Sequence, residues 1–208
     1  MGLTGGIASG KSTVSGIFRK KGAHILDHDE IAHQMEEPGG AAWEETVRVF
    51  GQGILNPDRT ISRKRLGEIV FRDPGMLRKL NEIVHPAVFA EWMKRIDRIG
   101  REHPDAIIIS DVPLLIETGW HRHVDAVLLV YVRPEEQVRR LTGRNSLSPE
   151  EAKKRLDSQM PIELKVPLAD FVIDNEGTVE ATRRQADRIW TILVEMEIKK
   201  RTGTLNSS

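Results

Sequence analysis

GGIASGKS, residues Gly5–Ser12, matches the pattern G-x-x-x-x-G-K-[ST]. This pattern is typical of a phosphate loop, in which glycines let phosphate oxygens approach the backbone and the first amides of a following helix point at them. The flanks agree with it, since Gly2–Thr4 suits the end of a buried strand and residues 13–21 have polar and apolar side chains at helical spacing. We therefore predict a strand, a phosphate loop and a helix at this point of the chain.

The side chains of the phosphate loop have separate predicted roles. Lys11 is expected to reach the β- and γ-phosphates of a nucleotide, and Ser12 is expected to ligate Mg²⁺. Ser9 and Thr13 are expected to offer backbone N–H groups to phosphate, whatever their side chains do. The alternative, a glycine-rich turn before an ordinary helix, is disfavoured because the motif and its flanks agree.

The composition limits the possible partners. Lys plus Arg and Asp plus Glu number 31 each, so the formal net charge is zero and no general basic excess favours nucleic acid. The 208 residues include no cysteine, which excludes disulfides and thiolate chemistry, and no apolar run of membrane-spanning length. We expect a cytoplasmic protein that binds neither nucleic acid nor membrane and is a monomer or a weak homo-oligomer.

Continuous apolar runs predict the strands of an α/β fold. Such runs are typical of strands that are covered on both faces, and hence of a parallel sheet between helices. The sequence Ser148–Glu151 is a strong helix start. We predict strands near residues 2–4, 23–26, 106–110, 126–132 and 171–173, and helices over 134–142, 149–160 and 178–201.

The connection between the second and third predicted strands is about eighty residues long, far more than one crossover helix needs. We therefore predict a helical insertion, with helices near 41–50, 62–71 and 74–100. Within the last of these, Pro86 is expected to break or kink the helix. His85 beside it could donate to a substrate, although a lone histidine is more often structural.

Acidic residues follow two predicted strands at the carboxyl edge of the sheet, where open α/β sheets bind their ligands. Asp27 and Asp29 are two residues apart, so on an extended chain their side chains would face the same side. One could accept the proton of an attacking hydroxyl and the other could hold a water of Mg²⁺, whereas helix capping by Asp27 is the structural alternative. Asp111 is expected to organise Mg²⁺, or only to begin a turn.

Other candidate residues lie in the second half of the chain. Arg140 and Arg144 are four residues apart, thus on one helical face, and would stabilise the charge of a transferred phosphoryl group unless they form only a solvated helix surface. Asn175 follows the fifth strand and could read an adenine or belong to a turn. Leu114 could line a ligand pocket or pack in the core.

These segments resemble the dephospho-coenzyme A kinase family, phosphate-loop kinases that use ATP to phosphorylate the ribose 3′-hydroxyl of dephospho-CoA, the last step of coenzyme A biosynthesis. The resemblance covers almost the whole chain, and the ordered set of motifs is far more specific than a phosphate loop alone. His28 and Ala8 depart from the family pattern, which has a small residue and frequently glycine there. The resemblance rests on Leu3–Thr13, Asp27–Ala32, Leu80–Pro86, Val112–Glu117 and Gln159–Asn175.

The resemblance implies an α/β fold, namely a three-layer P-loop kinase core with a five-stranded parallel sheet, an inserted helical substrate-binding subdomain and a helical lid. The implied substrates are ATP and dephospho-CoA, with Mg²⁺. The implied domains are a core at 1–31, 104–138 and 166–208, an insertion at 32–103 and a lid at 139–165. The implied residues are Lys11, Asp29 and Arg140 for catalysis; Gly6, Ile7, Ala8, Ser9, Gly10, Lys11, Ser12, Thr13, Arg144 and Asn175 for ATP; Asp29, Arg65, His85, Pro86, Leu114 and Glu117 for dephospho-CoA; and Ser12 and Asp111 for the metal.

Three other functions fit a phosphate loop. A nucleoside monophosphate kinase is the nearest, but Asn81–Pro86 in the insertion argues against it. A nucleotide-dependent switch would normally carry an Asn-Lys-x-Asp loop that reads guanine, and the sequence has none. A non-catalytic nucleotide-binding scaffold would not need the acids and the basic lid.

Overall fold

The predicted strands form one parallel sheet in the computed structural model, which describes residues 1–145 and 147–203. The strand order is β2-β3-β1-β4-β5, so β1 is central, and the prediction of a five-stranded parallel sheet is confirmed. Ser146, predicted in the lid, and residues 204–208, predicted in the core, lie outside the described residues. The strands are β1 (Gly2–Gly5), β2 (His24–Asp27), β3 (Ile108–Asp111), β4 (Val127–Tyr131) and β5 (Phe171–Asp174).

Most helices follow the predicted segments closely, whereas the helices at 28–35 and 162–165 lie outside those segments. Ser148 and Glu151 form a reciprocal capping box at the predicted helix start. None of the helices in the described part of the chain combines the length and the apolar character needed to cross a bilayer. The helices are α1 (Lys11–Lys20), α2 (His28–Met35), α3 (Trp43–Phe50), α4 (Arg63–Val70), α5 (Pro74–Glu102), α6 (Pro134–Asn145), α7 (Pro149–Asp157), α8 (Ile162–Lys165) and α9 (Val179–Arg201).

The described residues divide into two compact units. The sheet unit comprises residues 1–26 and 103–203, and the helical unit comprises Asp27–Glu102. In the sheet unit, apolar residues of β1, β3, β4 and β5 pack with α1 and α9 around the fully buried Leu3 and Phe18. In the helical unit, Ile54, Leu66 and Val70 form a separate core. Each unit therefore buries its own apolar surface.

Strand register places the carboxyl ends of β1, β3 and β4 at the same edge of the sheet. Leu3 of β1 lies opposite Asp111 of β3 and opposite Leu128 of β4. Because these strands are parallel, the residues that follow them leave the sheet at one edge. The phosphate loop, which follows β1, and Asp111, which ends β3, are neighbours for this reason.

Two local predictions are wrong. Asp27 and Asp29 do not lie on one extended segment, because Asp27 ends β2 while Asp29 is already in α2. The Asp27 carboxylate caps this helix by accepting the N–H groups of Asp29 at 2.9 Å and Glu30 at 3.2 Å, so the capping alternative is confirmed. Of the break or kink expected at Pro86, the break is absent, since α5 runs continuously from Pro74 to Glu102.

Candidate active site

The phosphate loop ends in a helix start that has no internal cap. Gly10 adopts φ 83° and ψ 26°, a left-handed conformation that favours glycine, and directly precedes α1. Gly10 has no side chain with which to cap this helix, and its first turn, which is fully described, contains no acidic residue. The positive end of the helix dipole therefore remains available to an anion, whereas the Ser9 and Thr13 N–H groups donate to the backbone oxygens of Gly6 at 3.1 Å and Gly10 at 2.9 Å.

Lys11 and Asp111, two of the predicted site residues, meet at this edge of the sheet. Lys11 is the first residue of α1 and forms an ion pair with the carboxylate of Asp111, which is only 6% exposed. Ser12, the next residue of the helix, is exposed. The parallel pairing of β1 with β3 thus brings the predicted phosphate-binding ammonium and the predicted metal carboxylate together.

Arg140 reaches the phosphate loop from α6. Its guanidinium donates to the backbone oxygen of Asn175 at 2.7 Å and to that of Ala8 at 3.5 Å, while its Nε donates to Glu136 at 2.8 Å. Hydrogen bonds from Arg139 and then from Arg140 lower the pKa of Glu136 to about 2, so Glu136 is ionised at neutral pH. Glu136 therefore helps to hold a permanent positive charge beside the loop.

Asn175 holds the backbone of the phosphate loop. Its Nδ2 donates to the Ser9 backbone oxygen at 2.7 Å, and its Oδ1 accepts the Thr182 hydroxyl at 2.7 Å. A Cβ on Gly10 would overlap the Asn175 amide nitrogen, which adds a steric requirement to the left-handed backbone of that glycine. Both ends of the amide are thus engaged with protein, and a contact with adenine stays a prediction.

Arg144 differs from Arg140 in its surroundings. It is exposed in the last turn of α6, and among the described residues its side chain has no hydrogen bond or ion pair. The four-residue spacing therefore brings one arginine to the phosphate loop and leaves the other in solvent.

Two glutamines at the phosphate loop were missed as site residues by sequence reasoning. Gln159, between α7 and α8, accepts the Ile7 backbone N–H at 3.0 Å. Gln137 is fully buried, donates to the Val132 oxygen at 2.7 Å, and packs so tightly on Gly6 that a Cβ there would overlap its amide oxygen. Gln159 lies within the run that carries the family resemblance, which was the available signal, whereas nothing in the sequence singles out Gln137.

The segment after β3 carries two further predicted residues, which are placed differently. Leu114 is 40% exposed and so is available to a ligand. The carboxylate oxygens of Glu117 are buried, and Glu117 pairs with the buried Lys165 at 2.5 Å. The prediction that Glu117 binds substrate is not tested by this arrangement, but its carboxylate faces a protein cation.

In the helical unit, Arg65 borders an open groove of about 620 Å³ together with Trp43 and Arg59. The Arg65 guanidinium donates to the backbone oxygens of Gly53 at 3.2 Å and Leu55 at 2.5 Å. The Arg59 guanidinium lies 5.1 Å from the centre of the Trp43 ring, within the range of a cation–π contact. This groove combines an aromatic face with two positive charges.

His85 and Pro86 border a second groove of the helical unit, of about 420 Å³, which Arg78 and Asn81 also line. Burial lowers the pKa of His85, which favours the neutral imidazole. Pro86 has no N–H, so the carbonyl of Glu82, also at this groove, lacks the usual helical donor. Of the predicted acceptor residues of the helical unit, Arg65 thus borders one groove and His85 with Pro86 borders another.

Asp29 and His28 begin α2 in the helical unit. Asp29 is exposed, as a group that acts on a substrate must be. His28, which departs from the family pattern, is 4% exposed and packs edge-on against Trp92 with ring centres 4.9 Å apart. The larger residue at position 28 is therefore accommodated in the core of the helical unit.

The donors at the phosphate loop fit a magnesium ion that is bound mainly through a nucleotide. Ser12 and Asp111 offer a hydroxyl and a carboxylate, the hard oxygen ligands that Mg²⁺ prefers. Within residues 1–145 and 147–203 there is no group of three or more His, Cys, Asp or Glu side chains that could hold a metal by themselves. Such a sparse set is typical of Mg²⁺ sites in which phosphates and waters complete the coordination.

Comparisons with known proteins agree on one family. The dephospho-CoA kinase family model matches residues 1–181. The dephospho-CoA kinase of Syntrophus aciditrophicus is 50% identical over 207 residues, which cover 100% of this chain and 88% of that protein. A crystal structure from Thermus thermophilus has 36% identity and a TM-score of 0.78 over 92% of this chain and 96% of that one.

A second solved structure, dephospho-CoA kinase from Campylobacter jejuni, has 30% identity and a TM-score of 0.72. It aligns with 93% of this chain and 96% of its own. These matches extend over both units and include the phosphate loop. The chain belongs to the dephospho-CoA kinase family, the kinases that catalyse the final step of coenzyme A biosynthesis.

Proposed function

We propose that this chain transfers the γ-phosphoryl group of ATP to the ribose 3′-hydroxyl of dephospho-CoA, with Lys11, Arg140 and Asp29 as the catalytic residues. The observation that carries the proposal is the convergence of two cations on the phosphate loop: Lys11 beside Asp111, and Arg140 against the Ala8 carbonyl. A loop that only held a nucleotide would not need a second positive charge from α6. Phosphoryl transfer does need it, because charge develops on the transferred group.

Lys11 and Arg140 stabilise the negative charge of the transferred phosphoryl group. Lys11 extends from the first turn of α1, at the positive end of the helix dipole. Arg140 is oriented by protein groups, Glu136 on one side and the Asn175 carbonyl on the other. Charges that are already in place need no reorganisation during the reaction, which is the main source of electrostatic catalysis.

Asp29 aligns the 3′-hydroxyl and accepts its proton as the bond to phosphorus forms. Its carboxylate is exposed at the start of α2, and the Asp27 cap fixes the backbone of that turn. A carboxylate within hydrogen-bond reach of an attacking hydroxyl is the arrangement that general base catalysis requires. Asp27, whose carboxylate is used as the cap, is the weaker candidate for this role.

The remaining ATP contacts come from the phosphate loop, residues 6–13, with Arg144 and Asn175 beside it. Ser12 and Asp111 would hold Mg²⁺, which when bound neutralises charge on the β- and γ-phosphates. Asp111 already accepts the Lys11 ammonium, so phosphate gives Lys11 a second anionic partner.

Dephospho-CoA binding belongs to the helical unit and to Leu114. Arg65 supplies positive charge in one groove, and His85 with Pro86 borders the other. Leu114 supplies an exposed apolar side chain from the segment after β3. The grooves suit the phosphates and the adenosine of such a ligand, and an exposed leucine suits the methyl and methylene groups of its arm.

Three further proposals concern the surroundings of the chain, and its balanced charge supports one part of them, the absence of a nucleic-acid partner. We place the protein in the cytoplasm and assign it only small-molecule substrates, with no nucleic acid or membrane partner. We expect a monomer or a weak homo-oligomer, which sedimentation at several concentrations would test.

The test is ADP production from ATP and Mg²⁺, measured with and without dephospho-CoA, with nucleoside monophosphates as alternative acceptors. We expect stimulation by dephospho-CoA alone, a product phosphorylated at the 3′ position, and a loss on the order of 1,000-fold in Lys11→Ala, since a charge that stabilises the transition state is removed. Lys20→Ala, an exposed lysine of the same helix, is the control. Hydrolysis of ATP that no acceptor stimulates would contradict the proposal.

A further inference from the structure

Glu117 and Lys165 form a buried ion pair in the sheet unit. The Lys165 side chain is fully buried, and its Nζ lies 2.5 Å from the Glu117 Oε1. Among the described residues, neither Nζ nor the two carboxylate oxygens has an aligned hydrogen bond, so only charge attraction opposes the cost of burying both groups. The net contribution of a buried ion pair to the free energy of unfolding is often small. Its importance here lies in the two segments that it joins.

The pair attaches the end of the predicted lid to the segment after β3. Lys165 is the last residue of α8, whereas Glu117 ends the stretch Val112–Glu117, which we name the β3 loop. At the other end of the β3 loop, the Thr4 hydroxyl donates to the Pro113 backbone oxygen at 3.0 Å. The β3 loop is therefore held by a strand at its start and by the lid at its end.

One side chain of the β3 loop remains in solvent between these two attachments. Leu115 and Ile116 are 0% and 5% exposed and pack in the core, whereas Leu114 is 40% exposed. The Thr118 N–H donates to the Leu114 backbone oxygen at 3.0 Å, which closes a tight turn at this point. The position of Leu114 is thus set by the anchored residues around it.

We propose that Glu117 and Lys165 are positioning residues, whose ion pair fixes the β3 loop so that Leu114 meets the acceptor. This inference rests on the proposed function, which places Leu114 against dephospho-CoA. It gives Glu117 an indirect role in place of the direct substrate contact that the resemblance implies. Removing one partner leaves the other charge buried without compensation, and the β3 loop must then shift to expose it.

The experiment is a double-mutant cycle with Glu117→Met, Lys165→Met and the double variant. Each single variant should raise the dephospho-CoA KM by on the order of tenfold, because small displacements of a positioning segment cost that much or more. The ATP KM should stay within about twofold of wild type, since the phosphate loop keeps its own contacts. The double variant, with two apolar side chains in place of two charges, should recover most of the loss.

Lys200→Met is the matched control. It also removes a lysine from an ion pair, with Asp125 at 3.0 Å, but both side chains are 68% exposed. Exposed pairs contribute little, so neither KM should change. Thermal unfolding of every variant separates lost stability from lost substrate binding.

Three results would overturn the proposal. Glu117→Met and the double variant could be equally impaired while Lys165→Met is normal, which would mean that Glu117 contacts the acceptor itself. The single variants could unfold more easily with an unchanged acceptor KM, which would mean that the pair is only structural. If neither single variant folds, the double variant and the charge exchange Glu117→Lys with Lys165→Glu are measured instead, and an acceptor KM more than tenfold above wild type in both contradicts the proposal.

The outcome for the wild-type chain distinguishes this inference from the proposed function. A wild-type chain that dephospho-CoA does not stimulate would overturn the proposed function, and this role with it. A stimulated wild-type chain whose variants keep a normal acceptor KM would overturn only the positioning role.

Discussion

The phosphate loop of the sheet unit and the grooves of the helical unit are built in opposite ways. Around the loop, polar groups from distant segments hold one another, as Lys11 holds Asp111 and Gln159 holds the Ile7 amide. In the helical unit, Arg65 and His85 border two separate open grooves. A rigid loop supplies the same electrostatic environment for every turnover, whereas open grooves can select the acceptor through a few exposed side chains.

Asp29 sharpens this comparison, because a catalytic Asp29 would give the helical unit a part in the chemistry besides acceptor selection. We expect Asp29→Asn to lower kcat by about 100- to 10,000-fold, the usual contribution of a general base, with the ATP KM within about twofold of wild type. Steady-state kinetics over both substrates measures this. Glu30→Gln, an exposed acid in the same turn, is the control, and unchanged turnover in Asp29→Asn would remove Asp29 from the base role.

Arg65 tests whether the grooves select the acceptor. We expect Arg65→Met to raise the dephospho-CoA KM by about 10- to 100-fold, the range for a lost hydrogen bond to a charged group, without a change in the ATP KM. Its bonds to the Gly53 and Leu55 oxygens make some loss of stability expected as well. Lys64→Met, on the same helix, should change neither KM, and an equal rise of both constants in Arg65→Met would contradict the division of roles.

The fold was largely predictable because its signals are local. The apolar run at 171–173 became β5 (Phe171–Asp174), and the pattern at Ser148–Glu151 became a complete capping box. The wrong predictions are also local. Asp29 was expected on an extended segment with Asp27, but it lies in the helix that Asp27 caps. Pro86 removes one hydrogen bond without ending the long, packed α5.

The contacts of the site were less predictable than its residues. The phosphate loop follows from its motif, but the bond between Ile7 and Gln159 spans 152 positions, and a glutamine carries no signal of such a partner. The pairing of Glu117 with Lys165 could not be predicted either, because a single charged residue in a sequence usually indicates an exposed position. Roles in the helical unit came from family resemblance, since its grooves have no motif with chemistry of its own.

Replacing alanine by glycine should change the unfolding free energy in opposite directions in the two units. Ala8 in the phosphate loop has φ 57°, a left-handed conformation that costs roughly 1–2 kcal/mol for a residue with a Cβ. Ala8→Gly removes this cost but adds freedom to the unfolded chain, so we expect a net gain in unfolding free energy of up to about 1 kcal/mol. Chemical denaturation measures it.

The matched change in the helical unit is Ala90→Gly, at an exposed position of α5. It should lower the unfolding free energy by about 0.5–1 kcal/mol, the usual penalty for glycine inside a helix. Losses of similar size at both positions would show that the loop conformation is not strained.

The smallest expected effect concerns pH. Burial lowers the pKa of His85 from its ordinary value of 6.5, so below that pH the unfolded chain binds a proton that the folded helical unit resists. Stability should therefore fall as the pH drops below 6.5 and be unaffected by His85 above it. In His85→Asn the denaturation midpoint should depend less on pH between about 7 and 5, and at pH 8 the slope should match that of wild type.

Gly10 shows how the contacts of the phosphate loop restrict the substitutions that this chain can accept. Its backbone requires a left-handed φ of 83°, and separately the Asn175 amide occupies the space that a side chain would need. Shortening Asn175 would clear the space yet leave the backbone unfavourable, while a relaxed backbone would still meet the amide. A substitution at Gly10 therefore carries two separate costs, and a single second-site mutation can relieve only one of them.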